Sequence, residues 1–252
     1  MASVTGRFAR ALLAAVSVLA VWQALTVAFS LPAFILPGPA RVAAALAARP
    51  AFWSANALTT GLEALVGLVA GSIAGIALAV SMGRFPRLQY LLQPVMVVSQ
   101  SFPVFALAPL LVLWFGFGFG SKIAMAVIAI FFPVAAALDD GLRATPPHLL
   151  DLGRLYRAAP YQELFLLRLP SAVPRLVTGL RLASVYAPIG ALVGEWVGAS
   201  SGLGYVMLQA NGRSQTDVVF AALLIVATLA VALRAVVDAV TARLLSWSTD
   251  PF

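Results

Sequence analysis

The sequence predicts an all-α, polytopic membrane protein with six transmembrane helices. Three observations predict it. Of 252 residues, 62% are hydrophobic and only 10% are charged, whereas soluble domains are roughly half apolar and about a quarter charged. Mean hydropathy is +0.99. Several stretches reach the ~20 nearly uncharged residues that a helix needs to cross a bilayer. Intrinsic disorder is excluded, because disordered chains are polar and highly charged. The absence of cysteine excludes a disulfide scaffold, thiolate zinc sites and cysteine nucleophiles. Six spans consume about 120 residues. Residues 1–252 are thus expected to form one transmembrane domain with room for loops and one sizeable non-membrane segment.

The spans follow in order. Residues 11–30 carry no charge. Arg7 and Arg10 precede them as in a signal peptide, but the apolar run exceeds the about 7–15 residues of a signal-peptide core, so an uncleaved first helix is expected. Residues 57–82 carry one charge, Glu63, and residues 88–115 carry none despite Pro94, Pro103 and Pro109. Residues 123–138 are apolar and reach span length with their flanks. Residues 182–199 contain one charge, Glu195. Residues 218–233 are uncharged, and that span runs on past Arg234.

Basic residues set the orientation, because cytoplasmic segments hold more of them. With the N-terminus inside, the inner segments hold Arg7, Arg10, Arg84, Arg87, Arg143, Arg154, Arg157, Arg168, Arg175, Arg181, Arg234 and Arg243. The outer segments hold Arg41, Arg49, Lys122 and Arg213. Twelve and four make up the sixteen basic residues. Both termini are therefore expected in the cytoplasm, and the net charge of +7 marks membrane topology and lipid contact rather than nucleic-acid binding.

One inner segment, residues 139–175, is much longer than the other. It carries Asp139, Asp140, Asp151 and Glu163, four of nine acidic residues. Pro146 and Pro147 suit a helix start. Leu149, Leu152, Leu155 and Tyr156 recur at helical spacing, and YQELFLLRL after Pro160 predicts a second short helix before Pro170. The residues alone leave two readings open: a stiff connector with solvated charges, or a docking surface for a cytosolic partner.

The segment DLGRLYRAAPYQELFLLRLP, residues 151–170, resembles the cytoplasmic signature of ABC importer permeases, of the form E-A-A-x3-G-x9-I-x-L-P. Asp151 stands at the Glu position, Gly153 at the second Ala, Leu167 at the Ile, and Leu169–Pro170 closes it. Arg157 stands where the family has Gly, and an arginine there needs room and a partner. FALAPLLVLWFGFGFGSKI (105–123), TGLRLA (178–183), GEWVG (194–198) and SSGLGYVML (200–208) are similar to permeases of the nitrate/sulfonate/taurine group. Residues 194–222 and 97–109 look most like the branch linked to thiamine-precursor pyrimidine uptake. The resemblance covers roughly residues 30–240.

The resemblance implies a type I ABC importer permease fold and a homodimer in the bacterial inner membrane. It implies a separate cytosolic ATPase that binds ATP and Mg and grips the coupling loop. On that loop it points to Asp151, Gly153, Arg157, Ala158, Ala159, Pro160, Glu163, Leu167, Leu169 and Pro170. It also implies an external binding protein that delivers solute.

The remaining residues are read beside that resemblance. GFGFGSK, residues 116–122, is not a phosphate loop. Ser121 separates Gly120 from Lys122, and membrane spans rather than a strand and a helix flank it. No cofactor, catalytic set or metal site is expected on this chain, and the lone His148 reads as a loop residue. Energy must come from another subunit or an ion gradient. Gly67, Gly71 and Gly75 allow close helix approach in lipid, either within the chain or at a dimer seam. The proline-broken third span, with Ser99, Gln100, Ser101, Phe102 and Pro103 near its middle, suits a translocation pathway, with ordinary kinked packing as the alternative. Phe102 and Phe105 offer stacking surfaces for a flat solute.

Glu63 and Glu195 are the two acids within spans, and such residues face the protein interior or a cavity. Glu195, grouped with the pathway, lies near an outer span end within reach of water. Glu63 lies near the outer end of its own span. Arg175 and Arg181 enter the fifth span from inside, where they can snorkel toward head groups. No basic residue is placed near the midplane, which favours a neutral or cationic solute over an anion. An ion-coupled secondary transporter is the second reading and a membrane scaffold the third. The first would show internal repeats and an acidic relay, and the second has no need of proline-broken spans.

Overall fold

A computed structural model describes residues 4–100 and 103–245, and every regular element among them is helical. In chain order these are α1 (Val4–Ala28), α2 (Pro39–Ala48), α3 (Pro50–Arg84), α4 (Pro86–Gln100), α5 (Ala108–Phe115), α6 (Phe119–Arg143), α7 (Pro147–Leu155), α8 (Pro160–Gln162), α9 (Leu169–Gly198), α10 (Leu203–Gly212) and α11 (Thr216–Thr241). Five of them, α2, α3, α4, α7 and α8, begin on proline. Its missing N–H is harmless in the first turn, where that donor has no intrahelical acceptor.

Four helical stretches are long and apolar enough to cross a membrane: α3, α6, the continuous run Pro160–Gly198 that contains α8 and α9, and α11. They correspond to the second, fourth, fifth and sixth predicted spans. The first is α1, whose apolar part is the shorter stretch Val16–Ala28. The third is interrupted. It is divided into α4, a 3-10 turn (Val104–Leu107) and α5. Pro103 has extended backbone, with φ −67° and ψ 108°, and proline cannot donate to the preceding turn.

Two boundaries differ from the sequence reading. The fourth span does not end before Asp139, because α6 carries Asp139 and Asp140 in its last turns. Residues 160–168 are not a separate short helix. They run without a break into α9, through a π-helical turn over Glu163–Arg168. The wider turn lies just before Pro170, whose ring would otherwise crowd the carbonyl four residues back. Two helices, α2 and α10, have no counterpart among the predicted elements.

The core is a three-helix unit in which α6 lies between α3 and α9. Glycine and alanine set the spacing. A Cβ on Gly71 would sit 2.9 Å from the Ile130 Cβ, and one on Gly75 would sit 2.8 Å from the Phe131 carbonyl oxygen. A Cβ on Gly67 would collide with Ala126. The glycine row of α3 thus rests against α6 of the same chain. The order of these contacts makes α3 and α6 parallel. From the other side, Gly190 and Gly194 of α9 rest on Ala126 and Lys122. Ala64, Ile130, Val134, Ala183, Ala187 and Ala191 are essentially inaccessible between the three helices.

Outside this unit, α10, α11 and α2 pack around Leu203, Ala221 and Val42. Trp22 of α1 donates its indole N–H to the Pro37 carbonyl at 3.0 Å and tilts against Phe220.

Candidate functional site

At the bundle end opposite residues 139–175, a buried polar cluster joins four helices. Glu63 lies thirteen residues inside α3, because that helix starts at Pro50 rather than near residue 57. Lys122 Nζ approaches Glu63 Oε1 to 3.2 Å, with side-chain exposures of 8% and 0%. Lys122 is therefore not an outer-loop cation. It sits in the first turns of α6 and is neutralised there. Lys122 is thus a buried basic residue near a span end, and its charge is already spent on Glu63.

The Glu63 carboxyl also faces that of Glu195. Glu195 does not reach water, being only 1% exposed. One carboxyl oxygen accepts from the Thr60 hydroxyl at 2.6 Å, and the other accepts from the Gly204 backbone N–H. Thr60 accepts in turn from the Leu203 N–H, and Asn56 Oδ1 accepts from the Gly202 N–H, each at 2.8 Å. The first N–H groups of a helix lack intrahelical partners, and here side chains from α3 and α9 satisfy those entering α10. Gly202 has φ +104°, and a Cβ there would collide with the Glu195 carboxylate. Only glycine fits this turn.

Above the cluster lies a vestibule of about 840 Å³ between α2, the start of α3, α10 and the start of α11. Asn56 and Trp53 line it, as do Arg41, Arg49 and Arg213. Arg41 pairs with Asp217 at 3.3 Å.

At the other end, the residues expected to form a coupling loop come together as one corner. Helix α7 ends at Leu155, and the chain turns through Arg157 in the left-handed region, φ +50°. Glycine adopts that region without penalty, which accounts for glycine at this position in the resembled pattern. The Arg157 side chain is exposed rather than packed. The Ala158 N–H donates to the Gly153 carbonyl at 2.9 Å and Gln162 accepts from the Ala159 N–H at 2.8 Å, closing the corner ahead of Pro160. Gly153 is buried against Leu167. Asp151 pairs with Arg154 at 2.9 Å, and Glu163, Leu169 and Pro170 carry the chain into α9. A cleft of about 280 Å³ opens between Leu152, Tyr156, Gln162 and Leu166.

The helix ends beside this corner are tied down by arginines. Arg175 donates to the Asp140 carbonyl at 2.9 Å, and Arg168 donates to that of Leu142. Arg181 binds Asp238 at 2.7 Å. Arg181 is held within the protein by Asp238, whereas Arg175 stays exposed beside the Asp140 carbonyl. Asp139 pairs with Arg143 at 2.6 Å and accepts from Gln89 of α4.

Of the residues expected along the third span, Ser99 and Gln100 end α4, and Pro103 is exposed. Ser101 and Phe102 lie outside the described residues. Beside the break, Phe105, Phe132 and Tyr186 line an apolar groove of about 380 Å³. Glu195 does not line it.

The family described as "Binding-protein-dependent transport system inner membrane component" matches residues 67–246. The chain belongs to this family. A relative from Haemophilus influenzae, described as "Probable ABC transporter permease protein", is 44% identical over 230 residues, covering 91% of this chain and 94% of that one. The formylaminopyrimidine transport permease protein ThiX of Halalkalibacterium halodurans is 37% identical, over 72% of this chain and 73% of its own. A chain of the MetNI methionine ABC transporter, solved in inward-facing conformations, superposes with a TM-score of 0.59. It is 21% identical, covering 74% of this chain and 91% of that one, and the likeness shows a shared fold. This chain is thus a multi-pass permease subunit of an ABC importer. The sequence reading missed the role of Lys122, as well as α2 and α10. Only the glycine pair around Leu203 hinted at α10.

Proposed function

We propose that two copies of this permease form a solute pathway driven by a separate cytosolic ATPase and supplied by an external binding protein, and that the solute is a thiamine-precursor pyrimidine. The observation that carries the ATPase coupling is the corner at residues 151–170. It exposes Leu155 and Tyr156 at 77% each, with Tyr161 at 55%. Large apolar side chains clustered at an exposed loop mark an interaction surface. The Arg157 turn holds them at the end of the 39-residue helix Pro160–Gly198, so force applied there acts directly on a core helix. ATP and Mg belong on the partner.

Both termini lie in the cytoplasm in this reading, with twelve arginines on the side of the corner. The pathway follows the broken third span past Ser99–Pro103, with the Phe105–Tyr186 groove beside it. Glu195 acts behind the pathway, as an anchor for α10. The pyrimidine assignment rests on the resemblance of residues 194–222 and on the 37% identical relative named for formylaminopyrimidine. Lys122 is neutralised by Glu63, so among the described residues the span interior offers no free positive charge to an anion.

The test of the solute is a binding screen of the purified companion binding protein against formylaminopyrimidine, hydroxymethylpyrimidine, taurine, nitrate and riboflavin. Tight binding of a pyrimidine alone is the expected result. Tight binding of taurine instead would overturn the solute and leave the permease assignment standing.

A further inference from the structure

The outer side of a membrane protein holds few basic residues. With Lys122 buried on Glu63, three of the four basic residues in the outer segments remain, Arg41, Arg49 and Arg213, and all three line the same vestibule. Arg41 is paired with Asp217. Arg49 and Arg213 are exposed and have no acidic partner among the described residues. Each sits at a fixed point of the fold. Arg49 bridges α2 and α3, and Arg213 closes α10.

We infer that this vestibule is the receptor for an acidic projection of the external solute-delivering protein, with Arg49 and Arg213 as its anchoring charges. The inference rests on the importer reading above and gives one partner surface its chemistry. The placement of the charges decides between occupants. Exposed arginines at a mouth are screened by water and contribute little to holding a small ion. Against an opposing charged surface, they steer the encounter and fix its register. The cavity, at about 840 Å³, is larger than one acidic side chain needs and admits a loop. Its wall includes Asn56, which holds the Gly202 N–H at 2.8 Å. A seated loop therefore lies one side chain from the Glu195 anchor of α10.

The test uses the full-length permease with its ATPase in lipid nanodiscs, and the purified companion binding protein as the probe, with affinity read by surface plasmon resonance. Affinity is expected to weaken by about tenfold between low and high salt. The double variant Arg49→Glu/Arg213→Glu is expected to weaken it by at least about tenfold, and Arg49→Lys/Arg213→Lys to retain it. Reversing acidic residues on the probe is expected to restore binding to the double-Glu variant. If that variant fails to assemble with the ATPase, Arg49→Gln/Arg213→Gln replaces it, with a smaller loss expected. Affinity unchanged to within about twofold in the charge variants would overturn the inference. So would saturable binding at these arginines of taurine, or of phosphatidylglycerol vesicles, with no binding of the protein. ATPase co-purification from the same preparations separates failure of this inference from failure of the importer reading.

Discussion

Lys122 Nζ lies 3.2 Å from Glu63 Oε1, at a point where neither side chain meets appreciable solvent. A buried charge left without its partner is strongly destabilising, by about 3–5 kcal/mol. The replacement Lys122→Met is therefore expected to lower thermal stability in detergent by that order. The double replacement Glu63→Gln/Lys122→Met should recover most of the loss. A double variant no more stable than Lys122→Met alone would contradict the pairing.

The anchor of α10 predicts a local effect. Glu195 accepts from Thr60 and Gly204, so Glu195→Leu leaves the buried Gly204 N–H without an acceptor, at about 1–3 kcal/mol, and the Thr60 hydroxyl with only the Asn56 carbonyl at 3.2 Å. Gly202→Ala drives a methyl group into the same carboxylate. Hydrogen exchange over residues 202–212 is expected to accelerate in both variants, with exchange in α6 little changed. Unaltered protection of α10 would remove Glu195 from this role.

Arg157 predicts a gain. A non-glycine residue in left-handed backbone costs about 1–2 kcal/mol, and Arg157 has φ +50°. Arg157→Gly should exceed Arg157→Ala in stability by about 1 kcal/mol, because both lose the charge and only one relieves the backbone. Equal melting temperatures for the two variants would show that the corner is not strained.

The glycine row predicts where bulk is resisted. Gly71 meets Ile130 of its own chain, so Gly71→Val should destabilise the single chain by about 1–3 kcal/mol. The expected result is a lowered melting temperature at every protein concentration. An unchanged melting temperature with dissociation of a dimer would place the row at a subunit seam.

The sequence was most legible where composition acts alone. Long apolar runs mark α3, α6 and α11, and the proline triplet marks the broken third span. The resembled loop pattern located the corner, and Arg157 at its glycine position is explained by the left-handed turn. Charge partners were not legible. Lys122 and Glu63 are far apart in sequence, and glycine-spaced packing of α3 on α6 brings them together. Lys122 therefore looks like a loop cation when only its flanks are read. Glu195 looks water-accessible for the same reason, because α10 folds over it and has no span-length apolar run. The boundary at residue 160 was hidden because proline marks a helix start, whereas a π turn carries the helix on through Pro170.

An ATPase that drives this permease through the exposed corner at residues 151–170 must lose its grip when that corner is altered. The most direct measurement is ATP-dependent solute uptake into proteoliposomes holding the permease, its ATPase and the binding protein, with ATPase co-purification read in parallel. Leu155→Asp/Tyr156→Asp places two charges on the docking surface without touching the core, since both side chains are 77% exposed. Loss of both ATPase co-purification and uptake, with an unchanged melting temperature, is the predicted result. An ATPase that stays bound and supports wild-type uptake in this variant would contradict the account.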